Sequence, residues 1–520
     1  MTSWRVFWVP QDAVRSGVRR RLLAGWEDLP SREDAVGVRA GDPIFLSPDY
    51  QVDPHLGEYG RWVKFRGFTT ETKRNYATDI RLFLDFLWSR GRGWTEATTR
   101  DVEDYEHWRR QERSNPQRVG GSKWDRELAA LSSLYGSPVG CRVVRRSPIT
   151  VRKVVGRDGE ARWVPDARAG DARASNVHWL TPRTWDRWIE IGLRGCGADG
   201  LVEPGWASRQ EDRNVAFVNV LRSSGLRRAE CGSLLTFEVP ARRLDGGRYY
   251  VGKVAAAATR SKKVRTFYVA SGAVGDVETY MDASRALVIR GAQRKGRYER
   301  LPEVRVVTEV TRGLKPVVHW VDRKGSAGRM LLNELPVEER MVLFTEGRRG
   351  LEPLWLWLNE QGLPFRPHSW EAVFHNANKR CERILTPPEH RRLDPHKVWA
   401  PYATPHSARH SFALYMLVVL NHLLDQRWGL TPEERRDFRL LYGDPWFMVQ
   451  NLLGHSSREV TIRHYLAPVA DLQLRSMLAT KDGPAAGPMP DLDSVFTRIA
   501  RESEGIQDVD ARMQTADGSR

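Results

Sequence analysis

From Thr69 to about Val139 apolar side chains recur at steps of three and four residues, and three such runs in succession restrict the segment to a bundle of amphipathic helices. The first run carries Tyr76, Ile80, Phe83, Leu84 and Leu87 behind Thr69-Thr70-Glu71-Thr72-Lys73, where Thr69 is placed to cap the first turn, and it ends near Gly91. The second opens after Thr98-Thr99 and turns Val102, Tyr105 and Trp108 inward. The third carries Trp124, Leu128, Leu131, Leu134 and Tyr135. Together they predict a helical domain of about 70 residues.

The rest of the 520-residue chain is organised around that domain. Residues 1 to 65 mix Trp, Arg, Pro and Gly without a sustained period and read as an N-terminal extension of uncertain order. Residues 140 to 175, rich in Arg, Gly, Asp and Ala, suit a linker. Thr181-Pro182 is a helix start, and helical patterning continues from there to about Leu478, giving a second domain over 176 to 480. One β segment interrupts it: Arg248 to Ala258 and Val264 to Ala270 flank Thr259-Arg260-Ser261-Lys262-Lys263 as a hairpin. The tail, 481 to 520, sets eight acidic residues against four Arg and is expected to be flexible, with one short helix around Val495 to Ile499. The expected fold class is mainly α with a small β-sheet.

Charge narrows the partners. Lys and Arg number 82 against 65 Asp and Glu, a formal +17, and this excess favours a polyanion, nucleic acid first, over a basic enzyme charged only for solubility. Cys141, Cys196, Cys231 and Cys381 form no C-x-x-C pair, so neither a disulfide framework nor a zinc ribbon is indicated, and a cytoplasmic location is expected. Phe412 to Leu420 is the longest apolar stretch, far short of the roughly 20 residues that cross a bilayer, and reads as a buried helix. Met1 to Gly25 has no apolar signal core, so no membrane or secretory role is expected. G-x-x-x-x-G-K-[ST] is absent, and Gly195-Cys196-Gly197-Ala198-Asp199-Gly200, which follows a helix, reads as a loop.

The densest chemistry lies in Thr404-Pro405-His406-Ser407-Ala408-Arg409-His410. A capping Thr and a first-turn Pro would put His406 and Arg409 on one face near the positive end of a helix dipole, an arrangement suited to a phosphate: guanidinium grips two oxygens and imidazole adds a directed donor. His406 and His410 also stand at i, i+4, which leaves a metal-dependent phosphoesterase open, although no Glu follows His406 as a base. Downstream come Leu453-Gly454-His455 and, ten residues later, Tyr465 between cationic side chains that would ease loss of its proton; a packing role for that tyrosine is the plainer alternative. Upstream, Gly225-Leu226-Arg227 with Glu230 follows a long apolar helix and could aim Arg227 into a cleft.

In this order, Gly225-Leu226-Arg227 with Glu230, a hairpin with a basic turn, His406-x-x-Arg409-His410, Leu453-Gly454-His455 and Tyr465, the set resembles the tyrosine recombinase (phage integrase) family. Residues 69 to 139 are similar to its helical core-binding, SAM-like domain, with Thr72, Tyr76 and Phe83 in the first helix and Trp124, Leu131 and Tyr135 in the last; the likeness spans Thr69 to Pro468. It implies a tyrosine-recombinase catalytic domain that cuts and rejoins DNA without metal, nucleotide or other cofactor. Tyr465 would be the nucleophile, making a 3′-phosphotyrosyl link; Arg227 and Arg409 would clamp the non-bridging oxygens, His406 would assist proton transfer and His455 would hydrogen-bond the phosphate. A hairpin lysine would protonate the leaving 5′-oxygen: Lys262 is preferred, with Lys253 and Lys263 competing. The implied partners are double-stranded DNA attachment sites, a homotetramer on paired sites, and a directionality or host DNA-bending factor. A catalytically silent DNA-binding protein of the same fold and a topoisomerase-like enzyme that only relaxes supercoils are the rivals. The family's compact members have shorter spacings than those here, so insertions are expected at Arg290 to Glu339 and Asn421 to Asp444.

Overall fold

The computed structural model describes residues 3–9, 28–155, 161–170, 179–208, 210–242, 247–311, 313–386, 400–422, 445–453 and 506–507. The chain is mainly helical with small sheets, in two compact units, Met1–Ser175 and Asn176–Arg520.

In the first unit, strands β1 (Arg5–Trp8) and β2 (Pro43–Leu46) pair antiparallel, and helices α1 (Leu29–Ala35), α2 (Pro54–Arg61) and α3 (Val63–Arg66) precede the three long helices α4 (Thr70–Trp88), α5 (Thr99–Arg110) and α6 (Gly121–Tyr135). Thr69 caps α4 through the Thr72 N–H, and Thr98 and Asp101 cap α5 reciprocally, each cap contributing about 1 kcal/mol. Besides apolar packing, two carboxylates tie the bundle together. Asp79 of α4 accepts from Lys123 (2.5 Å) and Arg126 (3.0 Å) of α6, while Glu127 of α6 accepts from Arg109 (2.7 Å) and Tyr105 (2.9 Å) of α5.

Two expectations for this unit change. The N-terminal stretch, of uncertain order from the sequence, is packed where it is described: Trp4, Phe45, Leu56, Tyr59 and Phe65 lie in the same core as Phe83 and Trp124. Its short elements each bury at most three of the residues described, so no period shows in the sequence. The supposed linker holds α7 (Pro138–Val143) and an antiparallel hairpin, β3 (Val151–Val155) with β4 (Ala161–Pro165).

The second unit opens with β5 (Trp179–Leu180), which pairs in parallel with the terminal strand Ile506–Gln507, and α8 (Pro182–Gly192), capped by Thr181. Next come α9 (Glu211–Ser224), the short α10 (Arg228–Gly232) and the expected hairpin, β6 (Tyr249–Val254) with β7 (Arg265–Ala270). Helices α11 (Ser271–Tyr280) and α12 (Ala286–Arg294) lead into a five-stranded sheet that corrects the expectation of a single β segment: β8 (Arg305–Val310), β9 (Val317–Asp322), β10 (Ala327–Leu331), β11 (Leu343–Gly347) and β12 (Gly350–Pro353), in the order β10-β9-β8-β11-β12, with the short α13 (Val337–Arg340) before β11. It occupies most of the charged stretch expected as an insertion. Its strands are half-buried along much of their length, so they lack the apolar alternation that marks a one-faced strand. Helix α14 (Trp370–Leu385) joins a core of Trp188, Phe217, Trp355, Trp357 and Trp370, where Phe217 and Trp370 stack at 3.5 Å, while α15 (Pro405–His422) and α16 (Pro445–Leu453) pack a second cluster of Trp179, Phe412, Leu417, Val449 and Leu453. Most of Asn421 to Asp444 and the proposed tail helix lie outside the described residues.

Candidate functional site: an arginine cluster at the end of a helix

Helix α9 stops because Gly225 takes φ +60°, a left-handed conformation that suits glycine, and because Phe412 of α15 leaves no room for more: a Cβ at Gly225 would sit 2.3 Å from the Phe412 ring. The turn delivers Arg227 to the N-cap of α10 in extended conformation, with its side chain 31 % exposed. One turn on, Glu230 is almost wholly buried and grips the same residue twice, accepting from the Arg227 backbone N–H (2.9 Å) and from its guanidinium (2.9 Å).

Arg409 arrives from α15, whose start is pinned from several sides. The side chain of Asn378 on α14 makes two hydrogen bonds to the Ala403 backbone (2.8 and 2.9 Å), and Thr404 and Ser407 exchange hydrogen bonds as a reciprocal cap. Ser411 accepts from the Leu180 N–H at 2.9 Å. So held, Arg409 is 1 % exposed and donates to the Gly225 carbonyl (2.6 Å) and to the Leu453 carbonyl at the end of α16 (2.5 Å).

A third guanidinium, which sequence reasoning missed, completes the group. Arg265 opens β7, buried, and donates to Glu230 (2.5 Å), the Leu452 carbonyl (2.6 Å) and the Gly225 carbonyl (3.3 Å). Its signal in the sequence is parity: Arg265, Phe267 and Val269 alternate on the buried face of β7, so a cation stands where the strand calls for an apolar residue.

Electrostatics give the cluster its character. Burial would raise the Glu230 carboxyl, but Arg265, the Arg227 amide, Arg409 and the Arg227 side chain together hold it below the usual glutamate range. Burial, opposed by Glu230 and reinforced by repulsion from Arg409 and Arg227, pushes Arg265 down to about 10, so it stays protonated at neutral pH. Three guanidiniums around one carboxylate leave an excess of positive charge that an arriving anion would relieve.

The structure thus brings Arg227 and Arg409 together around Gly225. His406 lies one turn before Arg409 at the mouth of α15, exposed, with its ring edge-on to that of His410 at 4.2 Å. Lys262 does not reach the arginine cluster: it sits at φ +54° in the hairpin turn and donates to the Ala257 carbonyl of the same turn (3.4 Å). Lys253 is exposed on the face of β6 opposite to Arg265, across from Thr266. Lys263 is exposed in the same turn as Lys262. His455 and Tyr465 lie outside the described residues, although α16 carries the chain to Leu453 beside Arg409. Among the described residues there is no group of three or more His, Cys, Asp or Glu able to hold a metal ion.

Comparison with known proteins finds a likeness in the helical unit. Residues 64–137 match the phage integrase N-terminal SAM-like domain. A search of curated proteins finds no match. Similar solved structures include the XerA recombinase, at 16 % identity and TM-score 0.28 over 82 % of this chain and 99 % of that one. XerH site-specific recombinase bound to difH substrate in a pre-cleavage complex is 11 % identical at TM-score 0.39, over 82 % and 87 %. XerH bound to palindromic difH substrate in a post-cleavage complex is 11 % identical at TM-score 0.40, over 91 % and 99 %. Likeness this loose bears on neither the site nor the reaction.

Proposed function

We propose that the protein is a site-specific DNA recombinase that cuts and rejoins duplex DNA through a 3′-phosphotyrosyl intermediate. The observation that carries this reading is the cationic cluster of Arg227, Arg265 and Arg409 around Glu230, in a chain whose other unit holds an integrase SAM-like domain. In-line attack at phosphorus spreads negative charge over the non-bridging oxygens, and donors already fixed in place stabilise it without reorganising. Arg227, the most exposed of the three, and Arg409 clamp those oxygens, while Arg265 and Glu230 hold the clamp in shape.

The Tyr465 hydroxyl oxygen forms the new P–O bond as the bond to the 5′-oxygen breaks; the phenolic proton leaves with help from His406, and the 5′-oxygen takes a proton from a hairpin lysine, Lys262 on this reading. His455 donates to the phosphate. The phosphotyrosyl ester retains the energy of the broken phosphodiester, so a 5′-hydroxyl from a partner strand can reverse the step without ATP. The working form is a homotetramer on paired attachment sites in the cytoplasm, served by directionality or DNA-bending factors; among the described residues no helix is long and apolar enough to cross a membrane.

The test is to incubate the protein with nicked duplexes carrying candidate element ends, with EDTA present. The expected result is a protease-sensitive adduct on a 3′-phosphate end that disappears in Tyr465→Phe. An adduct of equal yield in that variant would remove the nucleophile, and one abolished by EDTA in the native protein would favour metal-dependent chemistry.

A further inference from the structure

The β3–β4 hairpin is uncovered on both faces of its first strand. All five residues of β3 are exposed, with Val151 at 49 % and Val155 at 65 %, and Trp163 of β4 is 68 % exposed. The register puts Lys153 directly across from Trp163, and because alternate residues share a face, Val151 and Val155 flank that pair. One side of the ribbon is therefore a bare apolar strip with an indole at its centre and an ammonium beside it. A two-stranded ribbon is marginal alone in water, so this one needs either a firm root or a partner.

The root is firm. Ile149, just before β3, and Ala169, just after β4, are both buried in the core of the helical unit. The Asp166 N–H donates to the Thr150 carbonyl (3.0 Å), the Trp124 indole N–H to the Ala167 carbonyl (2.7 Å), and the Ala169 N–H to Asp125 (2.9 Å). The hairpin is thus an arm mounted on the third helix of the SAM-like domain. Its charge identifies what it meets: residues 145–168 contain seven Lys and Arg against three Asp and Glu, and Arg145 and Arg146 at the root are exposed. Such a surface repels a basic partner, a second copy of this +17 chain included, and attracts a polyanion. A two-stranded ribbon also has the width the major groove of B-form DNA admits.

Resting on the reading of the chain as a DNA recombinase, we infer that the β3–β4 ribbon is a DNA-contacting arm of the helical unit, with Arg145, Arg146 and Lys153 on backbone phosphates and the Trp163 strip against the groove wall. It contacts duplex of any sequence, adding affinity through phosphates and apolar surface without a base-specific contact.

The test measures binding of the full chain to a fluorescent duplex of arbitrary sequence over a range of salt concentrations, for the native protein, for Arg145→Ala/Arg146→Ala/Lys153→Ala, for Trp163→Ala, and for a matched control, Lys324→Ala/Arg348→Ala/Arg349→Ala, in exposed positions of the second unit. The slope of log affinity against log salt is expected to fall by about 0.9 for each arm cation removed, some 2.7 in the triple variant, with a smaller change in the control. Trp163→Ala is expected to weaken binding at least threefold with the slope unchanged and the melting temperature unaltered, since the side chain is mostly in solvent. If the native protein binds duplex and both arm variants match it in affinity and slope, the arm is refuted while the recombinase reading stands. If the native protein binds no duplex at any salt concentration, the recombinase reading falls and the arm with it. Weakening shown only with a second copy of the chain, and not with DNA, would make the ribbon a protein interface and overturn the inference.

Discussion

Replacing Glu230 by Gln keeps the shape of the side chain and removes the one negative charge beneath Arg265, Arg227 and Arg409. The Arg265 pair is buried on both sides, at 7 % and 1 % side-chain exposure, so the substitution leaves a buried guanidinium with neutral acceptors and no counter-charge beside it; the Arg227 pair, a third exposed, counts for less. Breaking such a buried pair from one side costs about 3–5 kcal/mol. Unfolding entropy near 2.1 cal/mol/K per residue makes each kcal/mol worth about 1.4 °C in a unit spanning Asn176–Arg520, so the variant should melt about 4–7 °C lower by calorimetry. Adding Arg265→Met removes the stranded cation, and the double variant should recover at least about 2 kcal/mol relative to the sum of the singles. Acid supplies a second reading. The folded state holds the Glu230 carboxyl below its ordinary value of 4.5, so the unfolded chain binds the proton more readily, and the stability this group contributes is present above about pH 4.5 and lost as pH falls through the folded value. The gap between native protein and Glu230→Gln should therefore narrow on acidification below pH 4.5. A variant that melts within about 1 °C of the native protein, with no coupling to Arg265→Met, would refute the buried cluster as drawn.

Two further outcomes are expected. Gly225→Ala adds a Cβ 2.3 Å from the Phe412 ring in a left-handed backbone position, and strain with overpacking should cost about 2–5 kcal/mol, read as a drop of about 3–7 °C in melting temperature. If Lys262 protonates the leaving group, Lys262→Ala should lose strand cleavage at least a hundredfold on ordinary DNA and regain it on a substrate whose leaving 5′-oxygen is replaced by sulfur, which departs without a proton. The same loss and rescue in Lys253→Ala, with Lys262→Ala active, would move the role to β6.

Legibility followed periodicity and local chemistry. The three helices of the first unit announced themselves because Thr69, Thr98 and the apolar stripes they cap repeat within single elements. Gly225, Arg227 and Glu230 were readable as a motif because a left-handed glycine and a reciprocal grip at i+3 are local events. What stayed hidden is what only tertiary packing creates. Arg265 acquires its place from Glu230, 35 positions away, and from the Leu452 carbonyl, 187 away. The five-stranded sheet escaped because its half-buried strands do not alternate cleanly, and the arm hairpin escaped because its first strand, exposed throughout, resembles a linker.

The central claim is tested most directly by trapping the covalent complex on nicked DNA, digesting both components and identifying by mass spectrometry the peptide that retains a nucleotide. The account predicts a single modified side chain, the phenol of Tyr465 in the peptide around Arg463-His464-Tyr465-Leu466, joined to a 3′-phosphate. Attachment to a serine, a histidine or a different tyrosine, or a link to a 5′-phosphate, would contradict it.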